Sequence, residues 1–213
     1  MTGKGAHFIS FEGGEGAGKS TQIKRLAARL RAHGQEVVTA REPGGTPDAE
    51  ALRSLVLGGA PGRWSPREEM LLMYAARAQL VRTVIRPALD RGAWVLCDRF
   101  ADSTLVYQGL AGGVPVAEVR ALHRLVLGDF NPDLTFILDL EPDQGMQRVH
   151  SRAEALNQFE QRDTQFYEKA REAYLRLARE EPERCVVIDA ARPPDAVEAQ
   201  IVDAIQARTG VQL

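Results

Sequence analysis

Cysteine is nearly absent from this chain, with two in 213 residues, Cys97 and Cys185. Both sit in apolar runs, Trp94-Val95-Leu96-Cys97 and Cys185-Val186-Val187-Ile188. Their spacing suits neither a disulfide framework nor a zinc site, so they read as reduced core thiols of a cytosolic protein. Histidine is scarce as well, and His7, His33 and His123 show no partner spacing, which leaves them as structural or surface residues. No apolar run approaches the roughly 18 residues of a membrane-spanning helix, and the N-terminal stretch has no signal-peptide core. A soluble, cytoplasmic protein without a membrane partner is expected. Charge of one sign is missing too: 27 Lys and Arg face 29 Asp and Glu, for a net charge of −2. There is no basic stripe of the kind that grips a nucleic-acid polymer by its phosphates, so any nucleic-acid partner is expected to be a monomeric nucleotide. Repeats, low-complexity segments and linkers are also lacking. With 44% hydrophobic residues, residues 1–213 are expected to form a single domain around a large core.

What the chain does have is a glycine-rich loop in a telling place. Gly13-Gly14-Glu15-Gly16-Ala17-Gly18-Lys19-Ser20 follows the apolar run His7-Phe8-Ile9-Ser10-Phe11, and Ile23, Leu26, Ala27 and Leu30 come after it at helical spacing. Strand, loop and helix in that order make a phosphate-binding loop. Glycines let the backbone turn through positive φ and approach phosphates closely, so that N–H groups and the helix N-terminus converge on anionic oxygens. Lys19 is placed to reach the β- and γ-phosphates, and the Ser20 hydroxyl to ligate Mg²⁺. A nucleoside triphosphate is the expected ligand.

Short apolar runs at residues 7–11, 35–40, 94–97, 134–140 and 185–189 read as strands buried on both faces. Helical patterns alternate with them. The best signalled starts at Ser65, where Ser65-Pro66-Arg67-Glu68 is a capping box with proline at the first helical position. Its stripe runs through Met70, Met73, Arg77 and Leu80, and Pro87 is expected to kink or end it. Further helices are expected over residues 160–180 and from Pro194 to about Arg208. Such alternation implies a doubly wound α/β fold: a five-stranded parallel sheet, helices on both faces, ligands at the carboxyl ends of the strands.

Polar residues gather at those ends. Arg41-Glu42-Pro43-Gly44-Gly45-Thr46 follows the second strand; Asp98-Arg99-Phe100-Ala101-Asp102-Ser103 and then Tyr107-Gln108-Gly109 follow the third. Asp98 stands where P-loop enzymes place a carboxylate near Mg²⁺, and Asp139, after Thr135-Phe136-Ile137-Leu138, is its rival for that role. Arg41, Arg53, Arg77 and Arg99 suit bidentate recognition of a second phosphate group in one crevice. A P-loop module that drives a partner protein is the alternative reading, but it has no use for a second anion pocket.

The run Phe11 to Thr21, the Arg41 to Thr46 motif, Ala75-Ala76-Arg77-Ala78-Gln79 and Asp98-Arg99-Phe100 through Tyr107-Gln108-Gly109 resemble bacterial thymidylate kinases over nearly the whole chain. The resemblance implies transfer of the γ-phosphoryl of ATP to dTMP, a requirement for Mg²⁺, and a homodimer. It assigns ATP contacts to Gly13, Gly16, Gly18, Lys19, Ser20, Thr21, Arg148 and Arg192, the last in the loop Ala190-Ala191-Arg192-Pro193. Ser20 and Asp98 take the metal positions. Arg41, Arg53 and Arg99 match positions near the dTMP phosphate, Arg77 and Thr104 contacts to the thymine edge, and Gln108 another base-side contact. Glu15 matches the acidic residue aimed at the sugar 3′-hydroxyl, and Tyr107 an aromatic that crowds the 2′-position.

The chain departs from that pattern in places. Met73 stands where many relatives stack a phenylalanine on thymine, Gln158 replaces a lid arginine, and His150 sits where some relatives have another. Some members carry an arginine in the P-loop directly after the acidic residue; here that position is Gly16. The lid corresponds to about residues 148–160, where the resemblance points to Arg152 for the transition state and Arg148 for adenine packing. Lys19, Arg99, Arg152 and Glu15 form the implied catalytic set. Phosphoryl transfer needs positioning and charge neutralisation, with no nucleophile-plus-base pair.

Overall fold

The computed structural model describes residues 5–58, 60, 62–151 and 162–213. Five parallel strands, β1 (Phe8–Glu12), β2 (Val37–Arg41), β3 (Trp94–Asp98), β4 (Leu134–Asp139) and β5 (Cys185–Asp189), lie in the order β2-β3-β1-β4-β5. The described helices are α1 (Lys19–Ala32), α2 (Pro47–Leu57), α3 (Pro66–Leu80), α4 (Arg86–Asp90), α5 (Ala101–Thr104), α6 (Val116–Leu127), α7 (Pro142–His150), α8 (Thr164–Glu180) and α9 (Pro194–Thr209).

Alternation along each strand builds two cores. Ile9, Phe11, Leu96 and Phe136 point to one face and pack with Leu26 and Leu30 of α1 and Ile201 and Ile205 of α9. Their neighbours Phe8, Val95 and Cys97 point to the other, against Tyr74 and Leu80 of α3 and Val119 of α6. Ile137 meets Tyr174 and Leu177 of α8. Every residue of β1 is buried, whereas the edge strands β2 and β5 are only partly covered, as expected of strands with one neighbour. The two polar side chains in the sheet centre satisfy each other, Ser10 Oγ lying 2.7 Å from Thr135 Oγ1 across β1 and β4. Both cysteines are free and buried, and burial pushes the Cys185 thiol up to about 12.

Local signals explain where helices start. Ser65 accepts from the Glu68 amide and the Glu68 carboxylate accepts from the Ser65 amide, closing the capping box of α3. Thr46 caps α2 and Asp163 caps α8 in the same way, each through an amide three residues on. Pro87 has a gentler effect than a break. The chain widens into a π-helical turn over Val81–Ile85 and then resumes as α4 with the proline in its first turn. A proline there offers no N–H to the carbonyl four residues back and its ring crowds that carbonyl; the wider turn accommodates both. A second π-helical turn, Leu105–Leu110, continues α5 and carries Tyr107 and Gln108.

Candidate active site

The P-loop leaves β1 at the centre of the sheet, and the strand ends beside it supply the rest of the site. In register, Phe11 pairs with Asp98 of β3 and Glu12 with Ile137 of β4, which brings the polar residues after β3 and β4 up on either side of the loop. Gly13, Gly16 and Gly18 have φ of 129°, 69° and 89°. A side chain at Gly16 would run into the Gly145 backbone of α7. That contact, together with the left-handed backbone, explains why position 16 holds no arginine.

One cleft of about 440 Å³ is lined by Glu15, Gly16, Gly18, Lys19, Ser20 and Thr21 and also by Arg41, Arg53, Met73, Arg77, Asp98, Arg99, Thr104, Tyr107 and Gln108. Most of the residues singled out from sequence therefore meet in one place. Gly13 lies just outside, against Leu138 and Asp139. Arg148 is at the back of the P-loop, where its guanidinium donates to the carbonyls of Gly16 (3.4 Å) and Ala190 (3.3 Å). Arg192 does not line the cleft; it is exposed in the turn after β5, 3.9 Å from Asp189. Arg152 and Gln158 lie outside the described residues, and His150 is exposed at the end of α7.

Ser20 Oγ donates to Asp98 Oδ2 at 2.7 Å. Asp139 is engaged elsewhere, gripped by Arg171 through Nε at 2.7 Å and Nη2 at 3.0 Å. Among the described residues no three His, Cys, Asp or Glu cluster as a metal site. A hydroxyl beside one carboxylate fits a hard cation such as Mg²⁺, which keeps waters and binds substrate phosphate oxygens instead of a protein cage. Lys19 Nζ is held over the loop by the carbonyls of Gly13 (3.1 Å) and Gly14 (2.8 Å). Burial, and then the Arg99 charge, push its pKa down.

Arg99 opens the turn after β3 with φ 68° and donates to Glu15 at 2.6 Å, to Ser103 at 3.2 Å and to Tyr107 at 3.3 Å. Burial opposes its charge, but Glu15 overrides this and the guanidinium stays firmly protonated. Arg41 pairs with Glu50 at 3.0 Å, and Arg53 donates to the Pro43 carbonyl at 2.7 Å. Burial and the neighbouring Arg41 push the Arg53 pKa down. Arg77 is 2% exposed and stacks on the Tyr74 ring, 4.5 Å from its centre. It donates to Glu42 at 2.7 Å, Phe100 O at 3.0 Å and Thr104 Oγ1 at 3.1 Å, yet its buried Nη1 has no partner among the described residues.

The thymidylate kinase family model matches residues 11–201 of the chain. The chain belongs to the thymidylate kinase family. It is 56% identical over 204 residues to the thymidylate kinase of Caulobacter vibrioides, covering 96% of this chain and 98% of that protein. To the thymidylate kinase of a Bradyrhizobium species it is 50% identical over 203 residues, 94% and 90% of the two chains. Its fold matches the crystal structure of thymidylate kinase from Ehrlichia chaffeensis with a TM-score of 0.77 at 32% identity, over 95% of this chain and 99% of that one. The enzyme thus has the P-loop NTPase fold and phosphorylates dTMP to dTDP, using ATP and Mg²⁺.

For a thymidylate kinase the site contains carboxylates that sequence reasoning passed over. Glu12, last residue of β1, accepts from the Phe100 amide (2.7 Å), Ser103 Oγ (2.6 Å) and Tyr174 Oη (2.9 Å), and so fixes the turn that carries Arg99. Burial, with Asp102 adding to it, pushes the Glu12 carboxyl up to about 7. Glu42 holds Arg77, and Glu69 holds Gln108. Each lies inside or beside a motif, but its partner is remote in sequence.

Proposed function

We propose that residues 1–213 act as one domain with a lid at about 148–160, working as a cytoplasmic homodimer and without a nucleic-acid polymer as partner. Leu71 of α3 and Leu125 of α6 are exposed, which supports an apolar face for a second copy. The observation that carries the site reading is the crowding of like charge in the cleft. Arg41 and Arg99 both lower the Arg53 pKa, and Arg99 lowers that of Lys19. Cations that repel one another in a half-buried cleft favour an anion among them, and here there is room for a second phosphate beside the P-loop.

In this reading Lys19 exchanges its loop carbonyls for β- and γ-phosphate oxygens, while Arg41, Arg53 and Arg99 hold the dTMP phosphate in line for attack. Glu15, pinned by Arg99, accepts from the sugar 3′-hydroxyl, and the Tyr107 ring fills the space a 2′-hydroxyl needs. Arg77 offers its unpartnered Nη1 to a base carbonyl oxygen. Met73 lies in the cleft against the base face. Ser20 and Asp98 hold Mg²⁺, which when bound screens the phosphate oxygens and aligns the transferring group.

Charge on the transferring phosphoryl group needs a further cation. Gly16 cannot supply it, and Arg148 is occupied by the carbonyls of Gly16 and Ala190. Arg152 takes that role. Arg152→Ala is expected to lower kcat by roughly 10². The dTMP dissociation constant, measured by calorimetry without ATP, should change by less than about threefold, because the dTMP pocket is built from other elements. If kcat survives that change and collapses with Arg148→Ala, the two roles are exchanged. If both variants turn over normally, the lid supplies no transition-state charge.

A further inference from the structure

Glu69 has no part in the mechanism above, yet it is 2% exposed and sits on the same helix as Arg77. Its oxygens accept three hydrogen bonds: Arg162 Nη2 reaches Oε1 at 2.9 Å and Oε2 at 3.1 Å, and Gln108 Nε2 reaches Oε2 at 3.0 Å. Gln108 is itself 2% exposed and lines the substrate cleft. A side-chain amide has a donor end and an acceptor end on one carbon, so pinning its NH₂ decides where its oxygen goes. An ionised carboxylate only accepts. It rejects the flipped amide, which would bring oxygen against oxygen. Burial pushes the Glu69 carboxyl up, and the Gln108 hydrogen bond and the Arg162 charge oppose that.

We infer that Glu69 is a specificity-determining positioning residue: by accepting the Gln108 amide it turns the Gln108 carbonyl oxygen toward the substrate base, where that oxygen selects a ring N–H over a bare ring nitrogen. The inference rests on the proposed base site beside Arg77. A thymine edge offers one donor, N3–H, beside a carbonyl; a cytosine edge offers a bare N3 beside an amino group. Arg77 as donor and Gln108 as acceptor match the first pattern and oppose both groups of the second. Arg77 has its orientation set by Glu42, and Gln108 has its own set by Glu69.

The test is the ratio of kcat/KM for dTMP to that for dCMP in the wild type and in Glu69→Gln, whose amide pairs with Gln108 in either orientation. The ratio is expected to fall at least about tenfold. Part of that fall is a rise in kcat/KM for dCMP, which damage to the fold cannot produce. Glu69→Met, which removes the acceptor without adding a polar group, gives the same loss and serves if the glutamine variant does not fold. In a Gln108→Leu background Glu69→Gln changes the ratio no further, because Glu69 acts through Gln108. A wild type indifferent to dTMP and dCMP overturns the base-site reading itself. A selective wild type whose folded Glu69 variants keep the ratio, or lose both activities in equal proportion, overturns this inference alone.

Discussion

Lys19→Met lowers kcat by roughly 10² or more and leaves the circular dichroism spectrum unchanged. The methionine keeps the length and apolar stem of the lysine, so what is lost is a cation at the phosphates. Lys19 is 7% exposed, and two backbone carbonyls hold its ammonium over the P-loop. Burial and Arg99 depress its pKa, which means that the folded protein without nucleotide tolerates this charge instead of gaining from it. Removing it therefore costs the fold little. Its worth appears when a triphosphate arrives and when charge spreads over the transferring group, which is a transition-state term. Steady-state turnover beside a far-ultraviolet spectrum checks both halves, and near-normal turnover with an unchanged spectrum contradicts the role given to Lys19.

Arg77→Leu strikes stability and binding together. Arg77 and Glu42 form an ion pair at 2.6 Å with both side chains almost fully enclosed. Breaking a buried pair by removing one partner costs about 3–5 kcal/mol, since the survivor is a buried charge with no counterion. Burial already raises the Glu42 pKa, with Arg77 opposing it; without Arg77 the carboxyl rises further. A carboxyl whose folded pKa is raised loses stability as pH climbs through that pKa, so the deficit of Arg77→Leu grows toward neutral pH and shrinks in acid. Urea unfolding at two pH values checks this. Adding Glu42→Gln should restore part of the stability and none of the dTMP affinity, which falls about 10²-fold because the base carbonyl loses its donor and the pocket its shape. A single variant as stable as the wild type contradicts the structural role of the ion pair, and one that binds dTMP normally contradicts the base contact.

Features carried by neighbours in the chain were legible in the sequence. The capping box at Ser65 needs only three intervening steps of helix, the P-loop only its own glycines, and each strand only a short apolar run, so their positions followed from local physics. The strand ends were off by a residue or two, as at β1, where Glu12 belongs to the strand. What escaped was anchoring by remote partners. Glu42 meets Arg77 across 35 positions, Gln108 meets Glu69 across 39, and Glu12 meets Tyr174 across 162. No periodicity encodes such pairings, and Glu42, between Arg41 and Pro43, and Glu69, directly after Glu68, have charged neighbours that give no sign of burial. The π-helical turns were likewise invisible, although Pro87 hinted at one. Arg192, which the resemblance places beside the ATP base, is exposed in the turn after β5, 3.9 Å from Asp189.

The cleft is expected to read a thymine deoxyribonucleotide through Arg77, Thr104, Gln108 and Tyr107. Coupled measurement of ADP release with ATP and a panel of dTMP, UMP and CMP tests it most directly. In the proposed pose a 2′-hydroxyl would meet the Tyr107 ring and a cytosine edge would leave Arg77 Nη1 without a partner, so dTMP is expected to exceed UMP and CMP by at least about tenfold to a hundredfold in kcat/KM. Equal turnover of CMP would contradict the account.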